Sequence, residues 1–243
     1  MNPETLVTTK SRCTDQYMRL QATKLDRINA DIRQAEADTG RNAFSVQLLA
    51  VSKTKPAADI IKAYQAGQRQ FGESYLQEAL LKQKELSCYQ ICWHFIGPIQ
   101  SNKTRQIAEH FNWVHSVDRL KIAKRLNEQR PANLPPLNIC LQVNISNEPS
   151  KSGFQLDELA DTVEQVSKLA NIKLRGVMAI PQPATDYKQQ CKPYRLLYQA
   201  VKQLNKSELN TFSFGMTGDL KAAITEGATI VRVGTALFGS RSG

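Results

Sequence analysis

Leu48-Leu49-Ala50-Val51-Ser52-Lys53-Thr54-Lys55-Pro56 reads as a short apolar strand that ends in a lysine where the chain turns into a helix. In a parallel α/β protein, catalytic and binding groups gather at the carboxyl ends of the strands. A lysine held there can be desolvated enough to lose its proton and form an imine with an aldehyde. The alternative is a solvated surface lysine, as most of the 32 Lys and Arg residues must be. The rest of the chain decides between them.

Working outward, seven further β-prone runs follow the run from Val46 to Ser52. They are Gln70 to Phe71, Ile91 to Ile96, Trp113 to His115, Asn138 to Val143, Leu174 to Met178, Thr211 to Ser213 and Thr229 to Val233. Helical segments begin between them, near Pro56, Ser74, Asn102, Asp118, Leu156, Tyr187 and Thr217. Eight strands alternating with helices are what a (β/α)8 TIM barrel requires. No long Gly, Ser or Pro linker interrupts the series, so residues 1–243 read as a single domain. Ahead of the barrel, Ser11 to Ala37 carries Tyr17, Leu20, Leu25, Ile28 and Ile32 at helical spacing, with Gly40 beyond its end. That extra N-terminal helix is expected to cap the barrel. An open doubly wound sheet is the other architecture, but no Gly-x-Gly-x-x-Gly follows the first strand.

Composition narrows the function classes. No run of about 18 apolar residues exists to span a membrane, and the N-terminus has no apolar stretch of signal-peptide length, so the expected compartment is the cytoplasm. Cys13, Cys88, Cys92, Cys140 and Cys191 are odd in number and scattered, which argues against a disulfide framework. Cys88, Cys92 and His94 are close in sequence, yet no second cluster completes a metal site, so no metal is expected. The net charge of +10 raises the question of nucleic acid. The basic residues are spread from Arg12 to Arg241 and interleaved with acids, which is the pattern of solvated helix faces. His94, His110 and His115 read as packed or surface residues rather than catalysts.

The strand-end loops carry the chemistry. Ser213-Phe214-Gly215-Met216-Thr217-Gly218-Asp219 and Arg232-Val233-Gly234-Thr235 occupy the loops after the seventh and eighth strands, where such barrels often bind phosphate. Gly215 and Gly234 let the backbone approach an anion, and Ser213, Thr217 and Thr235 offer hydroxyls. Thr217 could instead simply cap the helix that runs to Glu226. Arg232 sits between Val231 and Val233. If those valines face the helices, the guanidinium points inward and needs an acceptor, either a carboxylate or a ligand.

Taken in order, several segments resemble the pyridoxal phosphate homeostasis protein family, whose fold is that of the alanine racemase N-terminal barrel. They are Ala50 to Pro56, Phe71-Gly72-Glu73-Ser74-Tyr75-Leu76-Gln77-Glu78, Trp93 to Gly97 with Gln100, Asn102 and Lys103, His115 to Asp118, Gln142-Val143-Asn144, Lys151-Ser152-Gly153-Phe154, Arg175 to Met178, and Ser213 through Arg241. The resemblance implies that Lys53 carries pyridoxal 5'-phosphate as a Schiff base and that Ser213, Gly215, Thr217, Gly234 and Thr235 hold its phosphate. It further implies that Arg232 faces the pyridine nitrogen and that Met178 and Asn144 belong to the cofactor site. One departure is Ser74, where the family usually has Asn.

An arginine cannot give up its proton, so Arg232 opposite the pyridine nitrogen would leave the cofactor a weak electron sink. The related racemases also take a second acid–base group from another subunit, placed with help from a C-terminal β-domain that has no counterpart here. The expectation is therefore a monomeric carrier that holds the cofactor reversibly and regulates its level, with cofactor-dependent apoenzymes as recipients. An amino-acid racemase or lyase is the enzymatic alternative.

Overall fold

Parallel strands covered by helices on their outer face read as near-continuous apolar runs; Leu48-Leu49-Ala50-Val51 does so, whereas other strands are interrupted by polar residues such as His94, His115 and Arg232. The computed structural model describes residues 22–239. A helix over 22–38 (α1) precedes an eightfold alternation. It runs β1 (Gln47–Val51), α2 (Ala57–Gln65), β2 (Gln70–Glu73), α3 (Leu76–Glu85), β3 (Cys92–Phe95), a 3-10 turn (Ser101–Lys103) with α4 (Thr104–His110), and β4 (Trp113–Val117). It continues with α5 (Leu120–Gln129), β5 (Leu137–Val143), α6 (Leu159–Val166), β6 (Ile172–Ala179), α7 (Tyr187–Gln203), β7 (Thr211–Ser213), α8 (Leu220–Thr225), β8 (Ile230–Val233) and α9 (Thr235–Phe238). The strands pair in sequence order and close, β8 against β1, into a parallel barrel. No helix among the described residues is long and apolar enough to cross a membrane.

Closure sets which side chains face inward. Leu49 pairs with Arg232 across β1 and β8, and Met178 pairs with Ser213 across β6 and β7, so each pair shares a face. Val231 and Val233, on the opposite face, are buried in the layer between sheet and helices.

The structure corrects two expectations. The second and fourth strands run past the expected Gln70 to Phe71 and Trp113 to His115, so that Gly72 and Glu73, and Ser116 and Val117, are the ends of β2 and β4. Their polar members find partners there: Ser52 Oγ donates to Glu73 Oε1 at 2.6 Å, and Ser116 Oγ to the Gly97 carbonyl at 2.5 Å, although Glu73 Oε2 is buried without a partner. The helix expected at Thr217 starts at Leu220, so Thr217 is not its cap. The helix expected to cap the barrel is described only in part. The part expected before residue 22 lies outside the described residues. In the part from 22, Ile28 and Asp31 share a cavity with Thr217, Gly218, Leu220, Lys221, Val233 and Ala236. Helix α1 buries Leu25, Ile28, Ile32 and Ala35 in the core. Glu36 ties it down by accepting from the Val46 backbone at 2.7 Å.

Gly176 is the tightest point of the β6–β7 seam. Its φ is +155°, and a Cβ there would lie 1.9 Å from the Thr211 carbonyl oxygen. Gly176→Ala is therefore expected to force β6 and β7 apart and to destabilise the protein by at least about 2 kcal/mol in denaturant unfolding. An unchanged unfolding midpoint would show that the seam can give.

Candidate functional site

At the carboxyl ends of the strands a cavity of about 580 Å³ opens around Lys53. Val51, Ile96, Met178, Ile180 and Met216 supply apolar walls, while Ser74, Thr217, Gly218, Gly234 and Thr235 supply hydroxyls and backbone groups, and Arg232 reaches it from the barrel interior. Of the residues singled out in the sequence, Lys53, Met178, Thr217, Arg232, Gly234 and Thr235 come together in this lining. Ser74 is also there, so the residue that departs from the usual Asn does border the cavity.

Ser213, Gly215 and Asn144 are not in the lining. Ser213 is fully buried inside the barrel, where its Oγ is 2.8 Å from His115 Nδ1 and 2.9 Å from an Arg232 terminal nitrogen. Gly215 turns the β7 loop at φ +80°, and a Cβ would meet the Ala223 Cβ at 2.5 Å. Its glycine is demanded by helix α8 packing beneath it. Asn144 folds the following loop: its Nδ2 donates to the Glu148 carbonyl at 2.9 Å, and its Oδ1 accepts from the Glu148 backbone at 3.2 Å.

Sequence reasoning missed the cluster that holds the Lys53 loop. Lys82 on α3 is buried and directs its ammonium to the Ser52 carbonyl and Glu73 Oε1, both at 2.8 Å, and to Glu78 Oε1 at 2.5 Å. Glu78 in turn accepts from the Thr54 backbone at 2.6 Å, across a residue with φ +63°. A non-glycine residue in the left-handed region needs such a partner to stay there. Lys53 is thus flanked by two backbone positions pinned to one ion cluster. Burial pushes the Glu73 carboxyl above its ordinary range, with the Lys82 ammonium opposing that rise.

Inside the barrel a second polar row lies below Arg232. His94 Nδ1 is 2.9 Å from His115 Nε2, and His94 Nε2 is 2.6 Å from Gln70 Oε1. His94 and His115 are buried, and burial pushes His94 down to about 3 and His115 well below its usual value. Arg232 donates to the Ser213 carbonyl and, at 3.0 Å, to the Ala179 carbonyl. Its hydrogen-bond acceptors within the barrel are thus carbonyls and a hydroxyl, and none is a carboxylate. Cys92 Sγ is 3.4 Å from His94 Nε2, whereas Cys88 is exposed. The strand alternation around His94, between Trp93 and Phe95, was the signal that it points inward.

Two other cavities differ in character. One of about 410 Å³ shares Ser74 with the Lys53 cavity and extends over Tyr75, Lys103 and Asp118. A cleft of about 490 Å³, lined by Arg41, Arg195, Lys202 and Asn210, lies by the amino-terminal side of β7.

A model of the alanine racemase N-terminal domain family matches residues 23–242. A pyridoxal phosphate homeostasis protein of Pseudomonas aeruginosa is 58% identical over 220 residues, covering 90% of this chain and 95% of the relative. The Escherichia coli K12 protein of the same name is 50% identical over 225 residues, covering 90% and 96%. The PipY structure of Synechococcus elongatus with pyridoxal phosphate bound superimposes with a TM-score of 0.75 at 37% identity, over 86% of this chain and all of that one. Alanine racemase of Corynebacterium glutamicum shares the fold, with a TM-score of 0.62 at 15% identity over 90% of this chain and 62% of its own.

The ion cluster has a pH signature. A carboxyl whose folded pKa is raised binds its proton more tightly folded than unfolded. Its contribution is therefore fully present below its unfolded pKa and is lost as pH rises through the folded value. Lys82→Met removes the cation that opposes this rise at Glu73. The variant is expected to lose about 3 kcal/mol at pH 7.5 and distinctly less at pH 5.5, measured by denaturant unfolding. Equal losses at both would exclude Glu73 as the titrating group.

Proposed function

Because the chain belongs to the alanine racemase N-terminal domain family, and within it to the pyridoxal phosphate homeostasis proteins, we propose that it holds pyridoxal 5'-phosphate reversibly on Lys53 and regulates its supply, with little or no turnover. The observation that carries this reading is the lining of the Lys53 cavity. One amine, one arginine and a rim of hydroxyl and backbone groups share it, and among the described residues that line it there is no carboxylate, histidine or tyrosine.

The donor set fits the group. A cavity of about 580 Å³ has room for a small phosphorylated aromatic aldehyde. Thr217 and Thr235 are exposed at its rim, and Thr235 opens α9, where the first backbone N–H groups have no intrahelical acceptor. These residues would bind the phosphate, together with the backbone at Gly218 and Gly234. The apolar side chains of Val51, Ile96 and Met178 would pack against the ring. When bound, pyridoxal phosphate supplies an aldehyde that condenses reversibly with an amine, which Lys53 provides.

Arg232 bears on turnover. It is buried and its guanidinium keeps its proton, so it places a fixed positive charge at the inner end of the cavity and discourages protonation of a ring nitrogen set against it. Racemisation also needs acid–base groups on both faces of the substrate carbon. Lys53 supplies one, and the described lining offers no second. The role fits a cytoplasmic monomer that passes the cofactor to dependent apoenzymes, in place of leaving a reactive aldehyde free.

Borohydride reduction in the presence of pyridoxal phosphate, followed by intact mass and peptide mapping, is expected to show a single adduct on Lys53. Scattered labelling, or none, would overturn the reading. Lys53→Ala should abolish the adduct and change stability by no more than about 0.5 kcal/mol, since the side chain is only half-buried. Thr235→Ala should weaken cofactor affinity about tenfold yet still allow the adduct at high concentration. Steady loss of optical activity from single amino acids, dependent on Lys53, would favour the racemase instead.

A further inference from the structure

Five buried or half-buried polar groups form an unbroken file through the barrel: Arg232, Ser213, His115, His94 and Gln70. They come from β8, β7, β4, β3 and β2. The file starts beside the Lys53 cavity and ends at the first residue of β2, at the opposite end of the barrel. None of the three central members is itself part of the cavity lining.

Donor and acceptor chemistry gives the file a direction. A guanidinium can only donate, so Ser213 Oγ receives from Arg232 at 2.9 Å. The serine's own proton then needs an acceptor, and His115 Nδ1 stands 2.8 Å away. With Nδ1 accepting, a neutral His115 carries its proton on Nε2 and donates it to His94 Nδ1 at 2.9 Å. By the same step His94 carries its proton on Nε2, which is 2.6 Å from Gln70 Oε1, an acceptor. Every link is satisfied in this direction. In the reverse direction the Ser213 hydroxyl would accept from both sides and its proton would be left buried without this partner, at a cost in free energy.

We propose that Ser213, His115, His94 and Gln70 are positioning residues for Arg232, forming a one-way hydrogen-bond chain in which both imidazoles are locked as neutral Nε2–H tautomers. Each member fixes the next. Gln70 sets the tautomer of His94, His94 that of His115, and His115 turns the Ser213 hydroxyl so that a lone pair faces the guanidinium. Arg232 is thereby held in one orientation at the cavity without a carboxylate hydrogen-bonded to it, which preserves its positive charge for the ligand. Burial of both rings, far below the usual histidine range, agrees with neutral imidazoles. Trp113, stacked on His94 with ring centroids 5.6 Å apart, keeps that ring in plane.

The chain's effect on the ligand rests on the cofactor reading above, but its direction does not, so the two are tested apart. Ring-nitrogen NMR of the histidine-labelled, cofactor-free protein at pH 7 should show His94 and His115 neutral, each with the proton on Nε2. An Nδ1–H tautomer or an imidazolium at either ring overturns the chain, whatever the protein binds. Ser213→Ala removes one oxygen atom from the file. It should release the His115 tautomer in the same spectrum, weaken pyridoxal phosphate affinity about tenfold, the worth of one hydrogen bond to a charged group, and shift the visible absorption band of the bound cofactor. Unchanged affinity and absorption in a folded Ser213→Ala protein would overturn the positioning role. Failure of the unsubstituted protein to bind pyridoxal phosphate would instead overturn the cofactor reading and leave the tautomer result to stand or fall by itself.

Discussion

A guanidinium can leave water only where other acceptors receive its protons, and Arg232 has been carried inside the barrel by β8. Strand alternation leaves it no choice: Val231 and Val233 face the helix layer, so the residue between them faces the axis. Its acceptors lie on the two preceding strands of the sheet, at Ala179 on β6 and Ser213 on β7. These contacts join β8 to its neighbours at the end of the barrel where ligands bind, beside the register pair Ser213 and Ile230. The bonds that satisfy a buried charge also set the floor of the cavity.

Lys53 is held by different means. Its own strand ends at Val51, and the next three residues would be an ordinary turn were Ser52 and Thr54 not bound to Glu73, Lys82 and Glu78. A buried ion cluster contributes little net stability once desolvation is counted. Its value here is geometric, because three donors of one ammonium reach β2, α3 and the end of β1 together. The Lys53 loop and Arg232 are thus anchored independently, one by ions behind the sheet and one by neutral groups within it.

Much of this was legible before folding. Eight β-prone runs appear in the sequence at positions within a few residues of the strands, since apolar patterning is local. Lys53, Thr217, Arg232, Gly234 and Thr235 stand out because they interrupt or follow that pattern. Ser213 stands out for the same reason, next to Gly215, but the sequence does not show that it is the last residue of β7 and faces the interior. Asn144 stands out as an amide after a strand, a position that serves a loop as well as a ligand. Gly215 reads as an anion-binding glycine, although what its missing side chain admits is Ala223.

By itself, the sequence determined the alternation of eight strands and helices, the lysine at the exit of β1 and the arginine facing inward from β8. Each of these depends on neighbours within one turn or one strand. Tertiary structure alone decided which polar groups meet. Gln70 lies 24 residues from His94 and His115 lies 98 from Ser213, and closure of the barrel brings each pair within 3 Å. Hydrogen bonds require distances and angles set by the whole ring of strands, and no local pattern of residues carries that information.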